Sequence, residues 1–226
     1  MAPRLEVPGD ERAAARRGAE LIAEAGSAAV ADHGYFGFAM SGGRSPWAML
    51  ATLGDLEPMP WGETELFQVD ERIASPGSED RNLTHMVLGL SMDHQASLRP
   101  MPVTQRDLEA AAREYESQLP EPFDLVHLGL GPDGHTASLV PGDPVLEVAD
   151  RHVALTGSEY QGHQRMTLTY PALDAARRVL FLVTGAEKRE PLAKLMAGDR
   201  SIPAGRVANA EIVVVADEAA AAGLSG

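Results

Sequence analysis

Apolar residues recur along this chain with two different periods. Between Glu11 and Asp32 the positions Ala15, Ala19, Ile22 and Ala29 repeat at helical spacing, and the stretch stops at His33-Gly34, a helix C-cap signature, which predicts a first helix. The continuous apolar run Tyr35 to Met40 then reads as a strand, SGGRSP from Ser41 as a glycine turn, and WAMLATL from Trp47 as a helix. TELFQV from Thr64 repeats the pattern as a buried strand reaching Asp70, followed by a Pro/Gly/Ser-rich loop from Ile73 to Asp80 and a helix opening near Asn82. Further on, the pattern predicts helices over Arg106 to Leu119 and Glu187 to Ala197, and an Ala-rich terminal one. Strands are predicted over Phe123 to Leu128, Val153 to Thr156, Met166 to Thr169, Val179 to Thr184 and Ile212 to Val215. Helices alternating with continuous apolar strands imply an α/β fold, a mainly parallel sheet covered on both faces.

Length and charge narrow this picture. At 226 residues with 44% hydrophobic content and no internal repeat or linker, residues 1–226 are expected to form one domain, with the stretch Pro141 to Tyr160 as an elaborated loop. The 33 acidic residues against 19 basic ones give a net charge of -14, which repels nucleic acid and anionic membrane. An anionic ligand requires a pocket where cations run against that field, so each clustered Arg or Lys is informative. There is no Cys, which fits a reducing compartment. MAPRLEVPGDERAAARR lacks an apolar signal region, and no apolar run approaches the roughly 20 residues that span a bilayer. A cytoplasmic protein is expected, a monomer or at most a weak dimer, since no apolar stripe calls for a partner.

Three loops carry the chemistry, and all follow strands, where α/β sheets form their binding crevice. In Ser41-Gly42-Gly43-Arg44-Ser45-Pro46, bare amides, a helix start and a guanidinium are suited to an anion. A tight glycine turn with Pro46 at the first helical position explains the loop equally well. The Walker ending and the GxGxxG pattern are both missing, which disfavours a nucleotide. Asp70-Glu71-Arg72 sets acids and a base together at a strand end, as a functional cluster or a structural ion pair. Gly129 to Ser138, GLGPDGHTAS, combines three glycines with Asp133 and His135, the pairing that sets an imidazole's tautomer and basicity. His135 is therefore the candidate general base. His127, inside an apolar strand, and His33, His85, His94, His152 and His163 read as structural. Asp-x-His in a turn matches no recognised metal spacing and no G-x-S-x-G elbow is present, so no metal is expected and water is the expected nucleophile. Arg165 and Lys188 are further candidate cations, the latter in a strand-to-helix turn where a solvated surface lysine is the bland alternative.

Taken in order, SGGRSP, VDERIASPGSEDRN, LGLGPDGHTASLVPG, RMTLTYP and VTGAEKR resemble the 6-phosphogluconolactonase family and its glucosamine-6-phosphate deaminase relatives over nearly the whole chain. The resemblance implies a doubly wound, Rossmann-like α/β fold, no cofactor, and hydrolysis of a phosphorylated sugar lactone in the oxidative pentose phosphate pathway. It makes His135 the base that activates water and Asp70 a group that assists or orients at the reacting end. Arg72 and Lys188 would bind phosphate, joined by Arg165. Ser41, Gly42, Gly43, Arg44, Ser45, Asn82, Asp133 and Gly134 complete the expected substrate and phosphate contacts. Arg44-Ser45 and Arg81-Asn82 depart from the commoner SGGSTP and Ser-Asn of the family. Deaminases carry a Glu five residues after the motif histidine, where this chain has Val140, so deamination or isomerisation is the second reading. A non-catalytic sugar-phosphate sensor is the third; it would be expected to carry a DNA-binding segment or to lack the base.

Overall fold

The computed structural model describes residues 2–56, 59–90 and 96–224; His94 lies outside them. A short strand absent from the sequence reading, β1 (Arg4–Glu6), precedes the first helix, α1 (Glu11–His33). Asp10 caps α1 by accepting from the Ala13 amide, and the helix buries Ala14, Ala15, Ala19 and Ile22. Strand β2 (Phe36–Met40) leads to α2 (Arg44–Gly54), which starts inside the SGGRSP loop and ahead of the expected Trp47. Then come β3 (Thr64–Gln68), β4 (Asp70–Arg72), α3 (Asn82–Gly89), β5 (Ser97–Arg99), α4 (Leu108–Glu116) and β6 (Leu125–Gly129). Beyond the glycine-rich turn lie β7 (Val153–Leu155), β8 (Arg165–Leu168), α5 (Tyr170–Ala175), β9 (Val179–Val183), α6 (Arg189–Met196), β10 (Ile212–Ala216) and α7 (Glu218–Ala221).

Seven strands form one sheet in the order β1-β10-β9-β6-β2-β3-β5, with every pair parallel. Side chains alternate between its faces, which is why the core divides in two. Phe36, Phe38, Met40, Leu180 and Val213 pack with Ile22 of α1 and Met49 of α2. Ala39, Phe67, Val126, Phe181 and Val214 pack with Tyr115, Leu173 and Leu192 of α4, α5 and α6 on the other side. The sheet is therefore doubly wound. From β2 the chain moves outward through β3 to β5, then returns to lay β6 against the opposite edge of β2 and continues to β9 and β10. The order reverses between β2 and β6, the topological switch point at which α/β sheets open a crevice.

One part of the architecture departs from the sequence reading. β7 and β8 leave the parallel sheet and join β4 in a separate three-stranded antiparallel sheet, β4-β8-β7. Val69 is the junction, its amide bonded to Met40 of the main sheet and its carbonyl accepting from Leu168 of the second. Strands of three or four residues carry too little periodicity to reveal which sheet they join. Among the described residues, no helix is long and apolar enough to cross a membrane.

Candidate active site

The loops after β2, β4 and β6 meet at the carboxyl ends of the strands, and the turn before α6 closes the fourth side. The crevice between them is lined by Ser41 to Pro46, Asp70, Arg72, Asn82, His135, Arg165 and Lys188. Asp133 and Gly134, expected among the binding residues, do not line it. Gly134 turns the chain with φ +82°, accepts from Ala204 and lies so close to Ile202 that a Cβ there would sit 2.5 Å from it, so its role is to pack the turn. Asp133 stands behind the imidazole.

Its Oδ1 lies 2.5 Å from His135 Nδ1. Burial raises the Asp133 pKa, but the hydrogen bond and charge of His135 outweigh it and hold the carboxyl below its usual range. An ionised carboxylate at that distance assigns the proton of the neutral imidazole to Nδ1. Nε2, with no partner among the described residues, is left as the free base of a side chain only 20% exposed. Gly131 makes this pairing possible: a Cβ there would meet His135 Nδ1 at 2.0 Å.

Asp70 is held differently. Ser138 Oγ donates to its Oδ2 at 2.6 Å, Asn82 Nδ2 to its Oδ1 at 3.3 Å, and Arg165 stands 3.8 Å away. It shares the crevice with His135 but makes no hydrogen bond to it, so the carboxylate that orients the imidazole is Asp133, two residues away in the same turn. Glu71, fully buried, accepts from the amides of Arg72, Asn82 and Leu83 and from Gln68 Nε2, and therefore ties the start of α3 to β4. Of the acid-acid-base triplet, then, only Asp70 and Arg72 reach the crevice. Gly42 is fixed by its neighbour, because a Cβ there would fall 2.1 Å from Asn82 Oδ1.

The cations are brought together by strand register. Arg72 and Arg165 are directly opposed in the antiparallel β4-β8 pair, where like charges repel. Arg72 donates to the Asp80 carbonyl and Asn82 Oδ1, and Arg165 to the Tyr160 carbonyl, yet the buried Nε of each has no partner. Burial lowers the Arg165 pKa, with Asp70 opposing and Arg72 adding to the shift. Lys188 is lowered by burial too, against Glu187 and Asp133 and with the help of Arg44. Neither Lys188 nor Arg44 forms an ion pair among the described residues, and the buried Ser41 Oγ is also unpartnered. Ser45 is turned toward Thr184 Oγ1 and Glu11. Four cations with spare donors around one polar crevice make a site for an anion with several acceptor oxygens. No group of three or more His, Asp or Glu side chains among the described residues is arranged to hold a metal ion.

Sequence reasoning passed over Tyr160, Gln161, Thr184, Glu187 and Ser138. Ser138 and Glu187 lie within motifs it had marked; Tyr160 and Gln161 sit at and just past the end of the stretch read as an elaborated loop, and carry no local signal.

An acid-base pair and an anion pocket at the switch point of a doubly wound sheet are the setting for the family comparison. The chain belongs to the family of glucosamine-6-phosphate isomerases and 6-phosphogluconolactonases, whose model matches residues 9–215. It is similar to a 6-phosphogluconolactonase of Synechocystis, 34% identical over 87% of this chain and 86% of the other. It is likewise similar to a 6-phosphogluconolactonase of Mycobacterium bovis, 33% identical over 99% of each chain. The solved structure of 6-phosphogluconolactonase from Trypanosoma brucei superimposes with a TM-score of 0.86, at 26% identity and 99% coverage of each chain.

Proposed function

We propose that this chain is a 6-phosphogluconolactonase, hydrolysing 6-phosphoglucono-1,5-lactone to 6-phosphogluconate in the oxidative pentose phosphate pathway. The observation that carries the reading is one crevice holding both a carboxylate-bound imidazole and four cations with spare donors. Its relatives named 6-phosphogluconolactonase support it.

Arg72, Arg165, Lys188 and Arg44 receive the phosphate dianion and, with Ser41 and Asn82, orient the ring. A water at His135 Nε2 attacks the lactone carbonyl carbon. As the new C–O bond forms, Nε2 takes the water's proton, and Asp133 stabilises the imidazolium. The tetrahedral intermediate then collapses, the ring C–O bond breaks, and the imidazolium returns its proton to the departing ring oxygen, which becomes a hydroxyl. Asp70 lies on the same wall, where it positions Arg165 and Asn82. The lack of Cys supports a reducing, cytoplasmic setting. Val140, where deaminases carry a glutamate, leaves ring-opening chemistry without its acid-base partner.

The test is hydrolysis of freshly generated 6-phosphogluconolactone by the purified chain, followed by proton release against the spontaneous rate. Acceleration is expected, with a loss of roughly two to four orders of magnitude in His135→Ala. No acceleration by the wild-type chain overturns the reading, and wild-type turnover in folded His135→Ala removes the base.

A further inference from the structure

Tyr160 touches both halves of the site and belongs to neither. It opens a tight turn, Tyr160-Gln161-Gly162-His163, in which the Tyr160 amide donates to the His163 carbonyl. Gln161 and Gly162 take φ +53° and +82°, the left-handed pair of a two-residue hairpin turn. His163 Nε2 stands 3.3 Å from Asp80, whose carbonyl also receives Arg72, so the turn is moored to the loop after β4. From this mooring the Tyr160 ring lies under the Arg165 guanidinium, 5.2 Å from ring centre to the guanidinium carbon, while its carbonyl accepts from Arg165 NH2 at 3.2 Å. The same ring packs edge-on against His135, centroids 5.2 Å apart, and its hydroxyl lies 3.2 Å from Asp133 Oδ2.

Resting on the lactonase reading, we propose that Tyr160 is a positioning residue joining the anion-binding Arg165 to the acid-base pair. Its hydroxyl donates to Asp133 Oδ2, the oxygen that His135 does not use, and its ring supports Arg165. A donor on that oxygen draws charge from the carboxylate and weakens its pull on the imidazole proton. Burial and the Asp133 charge raise the Tyr160 pKa, so the phenol stays a donor throughout the working range. The hydroxyl also lies 3.4 Å from His135 Nδ1. That nitrogen's proton is already engaged with Asp133, so the contact to Oδ2 is the functional one. Asp133 and Tyr160 are the ionisable side chains in hydrogen-bond contact with the imidazole. The other charged groups around the crevice are Asp70 and Arg72 of β4, Arg165 of β8, Arg44 of α2, and Glu187 and Lys188 ahead of α6.

Two variants separate the two contacts. Tyr160→Phe removes only the hydroxyl; the NMR titration of the His135 ring protons is expected to move to higher pH, because the carboxylate then keeps its full charge for the imidazole. The acid limb of kcat/KM should move up by the same amount. Tyr160→Leu removes the ring as well, and should add a several-fold rise in KM for the phosphorylated lactone, with little change for an unphosphorylated one. An unchanged His135 titration in folded Tyr160→Phe overturns the hydroxyl's role, and an unchanged KM in Tyr160→Leu overturns the ring's. The titration needs no turnover, so it decides the link to Asp133 even if the chain hydrolyses no lactone.

Discussion

At the amino end of the parallel sheet, Asp124 accepts the Gly37 amide at 2.9 Å, His33 Nε2 at 2.9 Å and Arg177 Nε at 3.3 Å, and Arg178 is paired with Glu211 at 2.6 Å. At the carboxyl end, Arg44 and Lys188 have no ion-pair partner among the described residues, and Arg72 and Arg165 are opposed across a strand pair with a buried Nε unused on each. The same residue types are used in opposite ways. Charge at the amino end is neutralised within the chain and serves the fold; charge at the carboxyl end is only partly compensated, Arg165 by Asp70 at 3.8 Å, which costs stability and is useful only if a ligand supplies the missing anion.

This contrast can be broken by substitution. Arg72→Ala and Lys188→Ala should each raise KM for the phosphorylated lactone by roughly ten- to a hundredfold, the worth of a charge-assisted contact, and hardly affect an unphosphorylated lactone. Lys188→Ala should leave the melting temperature unchanged or higher, because no internal partner is lost. Equal kinetic losses on the two substrates would mean that these cations serve the chemistry or the fold. The mirror experiment is Asp124→Ala, which strands the Gly37 amide, the His33 ring and the Arg177 guanidinium. It should cost about 1–3 kcal/mol in denaturant unfolding while kcat and KM of the folded enzyme stay at wild-type values. A kinetic defect there would erase the distinction between the two ends.

His127 sharpens the comparison, being an ionisable group with neither partner nor solvent. It is fully buried in β6, both ring nitrogens are unpartnered, and burial pushes its pKa down to about 3 from the ordinary 6.5. Between those values the unfolded chain binds a proton that the native chain refuses. The stability of the neutral form is therefore complete above pH 6.5 and declines as pH falls toward 3, by at most about 1.4 kcal/mol per pH unit. His127→Leu should remove that share of the acid sensitivity and leave stability at pH 8 equal or greater. An unaltered acid slope would show that other groups set it. The two histidines thus part company through their surroundings: His135 has a carboxylate at one nitrogen and the crevice at the other, and the His127 ring nitrogens are buried without a partner among the described residues.

The alternation of apolar runs and helical spacing was enough to place most long elements within a few residues, because burial on both faces writes an unbroken apolar strand into the sequence. β1 and β5 went unseen for the converse reason. Each has three residues, two of them polar or charged, and takes its conformation from pairing with β10 and β3 at the sheet edges. The candidate site was legible wherever its residues are neighbours in the chain. Asp133 and His135 in one turn, and Ser41 to Ser45 in another, announce themselves by residue type and glycine content.

What the chain alone determined, then, is the doubly wound class, the strand-end loops that line the crevice and the histidine proposed as base. The tertiary structure decided that the carboxylate bonded to His135 is Asp133 and not Asp70, that Arg72 stands opposite Arg165 in a second sheet, and that Tyr160 reaches from Arg165 to Asp133. The last two contacts join residues far apart in sequence through the register of short antiparallel strands and one left-handed turn. Local periodicity records which way a side chain faces, whereas partners at that distance are chosen only when the strands pair.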